Sequence, residues 1–171
     1  MLWAYIATSL RDSIVFLSGV SASLPNLNNQ LLDIWDKLEN WEQLGWAYYR
    51  LGRNYSYKAL YNKALNYHGK AHRYWEKIEF KWGLQINYRY EGDCYSSQGN
   101  YAIALEKKRI SLDIAYERQD NIGIAYSFLF IGWDYYMLGD YNKALDYYNR
   151  ELRIRQEQKD DNYIPNIYTN M

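Results

Sequence analysis

The sequence predicts an all-α solenoid built from antiparallel helix hairpins, and three observations carry that prediction. The first is a period. Gly52, Gly92 and Gly132 stand forty residues apart, as do Tyr55, Tyr95 and Tyr135, and Tyr61, Tyr101 and Tyr141. The pairs Ala64-Leu65, Ala104-Leu105 and Ala144-Leu145 keep the same step. A fixed period of a few tens of residues marks an array of stacked supersecondary units. The second observation is helical spacing within each unit. In the stretch from Asp120 to Lys159, residues Ala125, Phe128, Gly132 and Tyr135 follow steps of three, four and three, which sets them on one stripe. Tyr141, Ala144, Leu145, Tyr148 and Leu152 form the matching inward stripe of a second helix. The third is the turn between them. Gly139-Asp140 joins a residue that tolerates positive φ to one that caps the following helix. Gly99 repeats the turn glycine, and Ala59 replaces it in the earliest unit.

These positions resemble the tetratricopeptide repeat. That family carries an aromatic, a small residue and a Tyr in its first helix, then a Gly-x-Tyr turn and an Ala where the two helices touch. Here the roles fall on Tyr48, Gly52, Tyr55, Tyr61 and Ala64; on Tyr88, Gly92, Tyr95, Gly99, Tyr101 and Ala104; and on Phe128, Gly132, Tyr135, Gly139, Tyr141 and Ala144. The usual period is about 34 residues. The longer step here is similar to the extended repeats of kinesin light chains and bacterial peptide-sensing regulators. The resemblance implies a right-handed superhelix with the first helix of each hairpin on its concave side. It covers residues 41–160 well and the two ends poorly.

The elements follow in order. Residues 1–40 read as a degenerate leading hairpin. Trp3, Ile6, Leu10, Ile14 and Leu17 share one helical face, residues 19–29 form a loop around Pro25, and residues 30–39 turn Leu31, Ile34, Trp35 and Leu38 inward. Atypical end units are expected in solenoids. Repeat one spans 41–80, with helices near 41–55 and 58–77. Repeat two spans 81–120, with helices near 81–97 and 101–118. Repeat three spans 121–160, with Asp120 and Asn121 as cap residues. Glu106, Lys107, Arg109, Arg150, Glu151, Arg153 and Arg155 are expected to point outward as a solvated convex face. Residues 161–171 keep the register through Tyr163, Ile164, Ile167 and Tyr168, so they read as the start of a further repeat in a sequence cut from a longer protein. An end that stays apolar would also let copies of the chain associate.

Composition narrows the function. The chain has 171 residues, 49% of them apolar, which is ample for a core. Its 20 acidic and 20 basic residues cancel, so no bulk field draws nucleic acid or an anionic membrane. No span is apolar enough to cross a bilayer, because Arg11 and Asp12 interrupt the best candidate, residues 2–20. The start also lacks the basic residues of a secretory signal, which places the chain in the cytoplasm. The 21 Tyr and 7 Trp fit helix seams that keep an OH or NH near water.

Catalysis and cofactors find no support in the sequence. His68 and His72 stand four apart, a spacing that can chelate a metal, but no nearby Cys, Asp or Glu completes a ligand set, so they read as surface histidines. Cys94 has no histidine beside it in sequence and reads as a packed or half-buried thiol. Glycine-rich phosphate loops and paired carboxylates are absent. The chain is therefore expected to be no enzyme, with no cofactor and no metal.

The concave face remains. From the repeat register it comprises Trp46, Tyr49, Arg50 and Arg53, then Ile86, Arg89, Tyr90 and Asp93, then Tyr126, Leu129, Phe130 and Trp133. Aromatics beside arginines suit an extended peptide, since rings give rigid contact area and guanidinium forks take carboxylates. The carboxylate clamp of the cochaperone branch, made of Lys and Asn, is missing from Tyr49, Arg53, Tyr90, Tyr126 and Phe130. The expectation is an interaction scaffold that binds a protein or peptide partner in this groove. Its rivals are the peptide-sensing part of a larger signalling protein and a self-associating array.

Overall fold

The computed structural model describes residues 35–158. The chain divides into two units, residues 1–40 and 41–171. Of the first, only 35–40 are described: a helix end in which the Asn40 amide donates to the Trp35 carbonyl at 2.9 Å. Leu38, expected inward, is 62% exposed because it sits in the turn after that helix. The remaining expectations for 1–34 and 159–171 lie outside the described residues.

The second unit holds six helices among its described residues: α1 (Trp41–Tyr57), α2 (Tyr61–Lys77), α3 (Lys81–Ser97), α4 (Tyr101–Glu117), α5 (Asn121–Met137) and α6 (Tyr141–Glu157). Each is 17 residues long, so a helix begins every twentieth residue. The forty-residue period is two such steps. The expected helix edges at 55 and 58 move to 57 and 61 accordingly.

One turn design repeats throughout. The amide of the residue before each new helix donates to a carbonyl five residues back: Leu60 to Tyr55, Phe80 to Trp75, Asn100 to Tyr95, Asp120 to Ala115 and Asp140 to Tyr135, at 2.8–3.0 Å. This closes the helix C-terminus and requires a left-handed residue one place earlier. Gly99 and Gly139 supply it at φ 76° and 79°, and Ala59, Glu79 and Gln119 adopt it at φ 52–56°. Ala59 thus fills the glycine's conformational role despite its Cβ. Asp120 and Asp140 cap α5 and α6, accepting from the amides of Gly123 at 2.9 Å and Lys143 at 3.2 Å. Asn121, the alternative cap, is the first helical residue instead.

Helices pair antiparallel as α1 with α2, α3 with α4 and α5 with α6, and each hairpin stacks on the next through α2–α3 and α4–α5. The first helices also approach one another, α1 to α3 and α3 to α5, which puts them on the inner side of the stack.

Glycine and alanine set the spacing within each hairpin. A Cβ added at Gly52, Gly92 or Gly132 would lie 2.8 Å from the His68 ring, 2.8 Å from Lys108 Cγ and 2.7 Å from the Tyr148 ring. Opposite, Ala64, Ala104 and Ala144 are buried. Trp75 of α2 occupies a second glycine slot. Its indole is fully buried between Gly45 of α1 and Gly83 of α3, where Cβ atoms would come within 2.1 and 2.5 Å of it. Forty residues on, small Ala115 replaces Trp75, and Gln85 with Gly123 fills the space.

The inward stripe of α6 differs from expectation. Ala144 and Tyr148 are buried, but Tyr141 is 64% and Leu145 51% exposed. Leu105, the residue in Leu145's place one repeat earlier, is 8% exposed because α5 lies over it. No described hairpin covers α6 in that way. Glu151 and Arg155, expected outward, are buried at 2% and 7% and bonded to each other through Arg155 Nε and Glu151 Oε1. A charged pair one turn apart satisfies itself, so helical charge spacing alone did not locate it. Glu106, Arg109, Arg150 and Arg153 are exposed as expected, and Lys107 is half-buried against Glu91.

These slots give a direct test. Gly45→Ala should destabilise the chain by about 1–3 kcal/mol through overpacking on Trp75. Gly69→Ala, also mid-helix but with nothing within 4 Å of the new Cβ, should stabilise it by up to about 1 kcal/mol through helix propensity. Urea melts of the two variants check both signs.

Candidate peptide-binding face

Along the inner side, arginines and aromatic rings alternate across hairpin boundaries. The Arg53 guanidinium lies 5.8 Å from the Tyr49 ring centre, 5.5 Å from Tyr57 and 5.2 Å from Tyr90. The same Tyr90 ring lies 5.1 Å from Arg89, which in turn meets Tyr126 at 5.2 Å and Phe130 at 5.3 Å. Tyr126 then meets Arg155 of α6, again at 5.2 Å. The result is a continuous ladder from α1 through α3 to α5. Its rungs are cation–π contacts, which strengthen where water is partly excluded.

Of the residues expected on this face, Arg53, Arg89, Tyr90, Tyr126 and Phe130 are in the ladder and half-buried. Tyr49 joins it from below. It is only 5% exposed and packs edge-on against Tyr90 at 5.3 Å and His68 at 5.9 Å, so it supports the face more than it presents itself. Burial, with Tyr90 beside it, pushes its phenol well above the usual range. Trp46 and Ile86 pack on the Trp75 cluster, and Leu129 packs on the core around Ile131. Arg50 and Trp133 are exposed, Trp133 stacking on Tyr136 at 5.8 Å. Asp93 turns toward Lys108 at 3.1 Å.

Residues not expected on this face complete it. Tyr57, one turn beyond Arg53, accepts a 2.6 Å bond from Arg53 Nη2, a contact that the four-residue spacing could have suggested. Arg155 reaches it from a second helix, which register reasoning confined to first helices could not show.

Beneath the ladder lie two buried polar seams. His68, expected at the surface, is fully buried. Its Nδ1 bonds Asn87 Oδ1 at 2.8 Å, while Asn87 Nδ2 donates to the His68 carbonyl at 3.0 Å and to Glu91 at 3.1 Å. An amide oxygen can only accept, so Nδ1 carries the proton and Nε2 faces Gly52 without a hydrogen-bond partner. Burial, with Arg53 nearby, holds the imidazole neutral and lowers its pKa to about 4, against the opposing Asn87 bond. His72 instead meets Tyr88 and Glu76, so the two histidines do not converge. Among the described residues no group of three His, Cys, Asp or Glu could hold a metal ion.

Lys108 is the second seam. Only 1% exposed, its Nζ lies 2.8 Å from Asp134 Oδ2, 2.9 Å from Asp134 Oδ1, 3.1 Å from Asp93 Oδ1 and 3.0 Å from Ser96 Oγ. Ser96 also donates to Asp134 at 2.6 Å. Burial pushes the Asp93 carboxyl up, with Lys108 opposing. Cys94 is buried against Ser56 at 3.0 Å, as a packed thiol, and burial raises its pKa.

Both seams predict a pH response. His68 has its folded pKa below the ordinary 6.5, so the unfolded chain takes up the proton first and stability falls as pH drops from about 6.5 to 4. The His68 share should be roughly 3 kcal/mol, absent from His68→Gln, in urea melts across that range. Lys108→Met should cost about 3–5 kcal/mol at pH 7 by stranding two carboxylates. Part of that loss should return at pH 5, because burial raises the Asp93 carboxyl and removing Lys108 takes away the charge that opposed it.

No helix among the described residues is long and apolar enough to cross a membrane. A family model described as tetratricopeptide repeat matches residues 85–157. Among solved structures, a Rap protein complexed with Competence and Sporulation Factor matches with TM-score 0.71 and 23% identity, over 80% of this chain and 38% of that chain. BtubC (BKLC) from P. vanneervenii matches with TM-score 0.69 and 20% identity, over 81% of this chain and 57% of that one. Among curated proteins none matches the chain. The chain therefore spans less than two thirds of either structural neighbour, and at these identities the likeness concerns the fold. The tetratricopeptide repeat model thus matches the second and third hairpins, and the hairpin over 41–77 has the same helix length, turn and glycine slot.

Proposed function

We propose that the chain is a non-enzymatic interaction scaffold in the cytoplasm whose inner face takes an extended peptide or a partner helix. The observation that carries this reading is the ladder through Arg53, Tyr90, Arg89 and Tyr126. Rings whose positions are already fixed give contact area with little further loss of side-chain freedom. Guanidinium groups on that same surface supply directional donors to carbonyls and carboxylates. The titratable groups near the face support the absence of chemistry, because His68, Lys108 and Asp134 are each engaged in a seam.

A second reading has one observation in its favour. The chain aligns with 38% of a Rap protein that was solved with Competence and Sporulation Factor bound. On that reading the solenoid is the ligand-sensing part of a larger signalling protein, and the same face takes the ligand.

Selection of random dodecapeptides on the immobilised chain tests the face. Binders should lose at least tenfold in affinity to the Arg53→Glu, Arg89→Glu variant, with its far-ultraviolet circular dichroism unchanged. Binders indifferent to that variant but lost on Leu145→Asp would move the function to the exposed end of the third hairpin.

A further inference from the structure

We propose that the edge of the array formed by the turns inside each hairpin rests on an anionic lipid surface, with Met137 and Leu138 entering the headgroup region. This second surface goes beyond the inner-face reading and leaves that face to its own ligand.

The three turns lie along one edge. The Ser56 hydroxyl, at the end of α1, meets the Cys94 thiol of α3 at 3.0 Å, and Ser96 donates to Asp134 of α5 at 2.6 Å. Gln98, in the second turn, donates to Asn62 beside the first at 2.9 Å. At the same two places these turns carry Tyr57-Lys58, Ser97-Gln98 and Met137-Leu138, and all six residues are exposed. The first two pairs stay exposed with a further hairpin stacked beside them. The 48% and 51% exposure of Met137 and Leu138 therefore follows from their place in the repeat, whatever comes after α6. A Cβ added at Gly139, next in the turn, would meet nothing within 4 Å, so no neighbour shields the tip.

An exposed apolar tip marks a docking element, and its surroundings name what it docks on. Beside it Trp133 stacks on Tyr136 at 5.8 Å, and Tyr136 meets Tyr141 at 5.5 Å. Amphipathic rings of this kind settle where hydrocarbon gives way to headgroups. Tyr57 and Leu60 give the first turn a smaller version of the same surface. The cations near these tips are Arg53, Lys58, Lys63 and Lys143. Of the carboxylates there, Asp140 is bound to Lys143 at 2.7 Å, while Asp93 and Asp134 turn inward onto Lys108 at 3.1 and 2.8 Å.

The opposite edge, made by the turns between hairpins, also exposes Ile78, Trp82 and Ile122. Its charge is the reverse: Glu42, Glu76, Glu79, Glu117, Asp120 and Glu157 outnumber Lys77, Lys81 and Arg118. A net charge of zero thus conceals one edge rich in carboxylates and one poor in them. Lysines close to an anionic leaflet each add to its attraction, and exposed carboxylates oppose it. Only the edge with the Met137-Leu138 tip joins an apolar insertion to an excess of cations.

The test is flotation of the chain with vesicles of phosphatidylcholine, with or without about a third of phosphatidylserine, at low salt. The mixed vesicles should bind at least tenfold tighter, and added salt should weaken that binding. Met137→Ser combined with Leu138→Gln installs the residues of the second turn. The circular dichroism of this variant should be unchanged while its binding to mixed vesicles falls at least tenfold. Lys58→Gln with Lys63→Gln should cost about tenfold. Ile122→Ser on the opposite edge and Arg73→Gln, an exposed cation in the body of α2, should bind as the parent does. Absent or equal binding to the two vesicles, binding that survives the Met137→Ser, Leu138→Gln change, or an equal loss in either control would overturn the proposal. So would self-association, followed by light scattering without lipid, that the same double change abolishes, because the tip would then join copies of the chain.

Discussion

The approach of a side chain onto bare backbone at Gly52, Gly92 and Gly132 sets everything else in this array. Where two helices pack, the distance between their axes follows the bulk at the crossing. A glycine there lets His68, Lys108 and Tyr148 lie directly over the first helix, closer than any Cβ would permit. Ala64, Ala104 and Ala144 keep the opposite wall equally thin. With each helix fixed at 17 residues and each turn closed in one way, this contact is reproduced at every hairpin. The repeat is therefore a repeat of geometry before it is a repeat of chemistry.

The slot is constant and its occupant is not, and that difference individualises the hairpins. His68 reaches forward to Asn87, and Lys108 reaches forward to Asp134, each tying a second helix to the first helix of the next hairpin. Tyr148, in the last described hairpin, joins an apolar core instead. In a solenoid, stability is close to a sum of hairpin terms and neighbour interfaces. Buried ion pairs add little to such a sum, yet leaving one half-made is expensive. The Lys108 seam therefore penalises any mismatched neighbour more than it strengthens the right one. Volume is matched in the same way: Trp75 demands Gly45 and Gly83, while Ala115 admits Gln85.

Much of this was legible in the sequence, because period, glycine spacing and turn residues are local signals. The helices, the hairpin pairing and the roles of Gly52, Gly92 and Gly132 follow from them directly. Burial of polar residues was not legible. Nothing in the spacing of His68 shows that Asn87, nineteen residues away, will satisfy it, and a self-paired Glu151 and Arg155 look like any exposed helical charges. The exposure of Tyr141 and Leu145 was hidden for a related reason, since a stripe records what a helix could bury and not whether a neighbour arrives. On the inner face, register placed Arg53, Arg89, Tyr90 and Tyr126 together, but it could not separate Ile86 and Leu129, which are half-buried against the core clusters, from the residues above them. Such a distinction depends on tilt between hairpins, which periodicity does not encode.

The seams and the inner face are mechanically one structure. Tyr49 and Tyr90 both pack on the buried His68 ring, and Phe130 lies over Lys108. The aromatic rungs thus stand on side chains that the glycine slots hold in place, and their orientation is settled before any ligand arrives. Above that uniform support the exposed chemistry changes from hairpin to hairpin. At one register position the three first helices carry Arg53, Asp93 and Trp133: a cation boxed in rings, a carboxylate drawn inward by Lys108, and a half-exposed indole. A backbone that repeats every forty residues would by itself offer an extended chain the same contacts at each step and so fix no register. The side chains give this one two distinguishable ends, so an extended chain lying along it meets different partners according to its polarity.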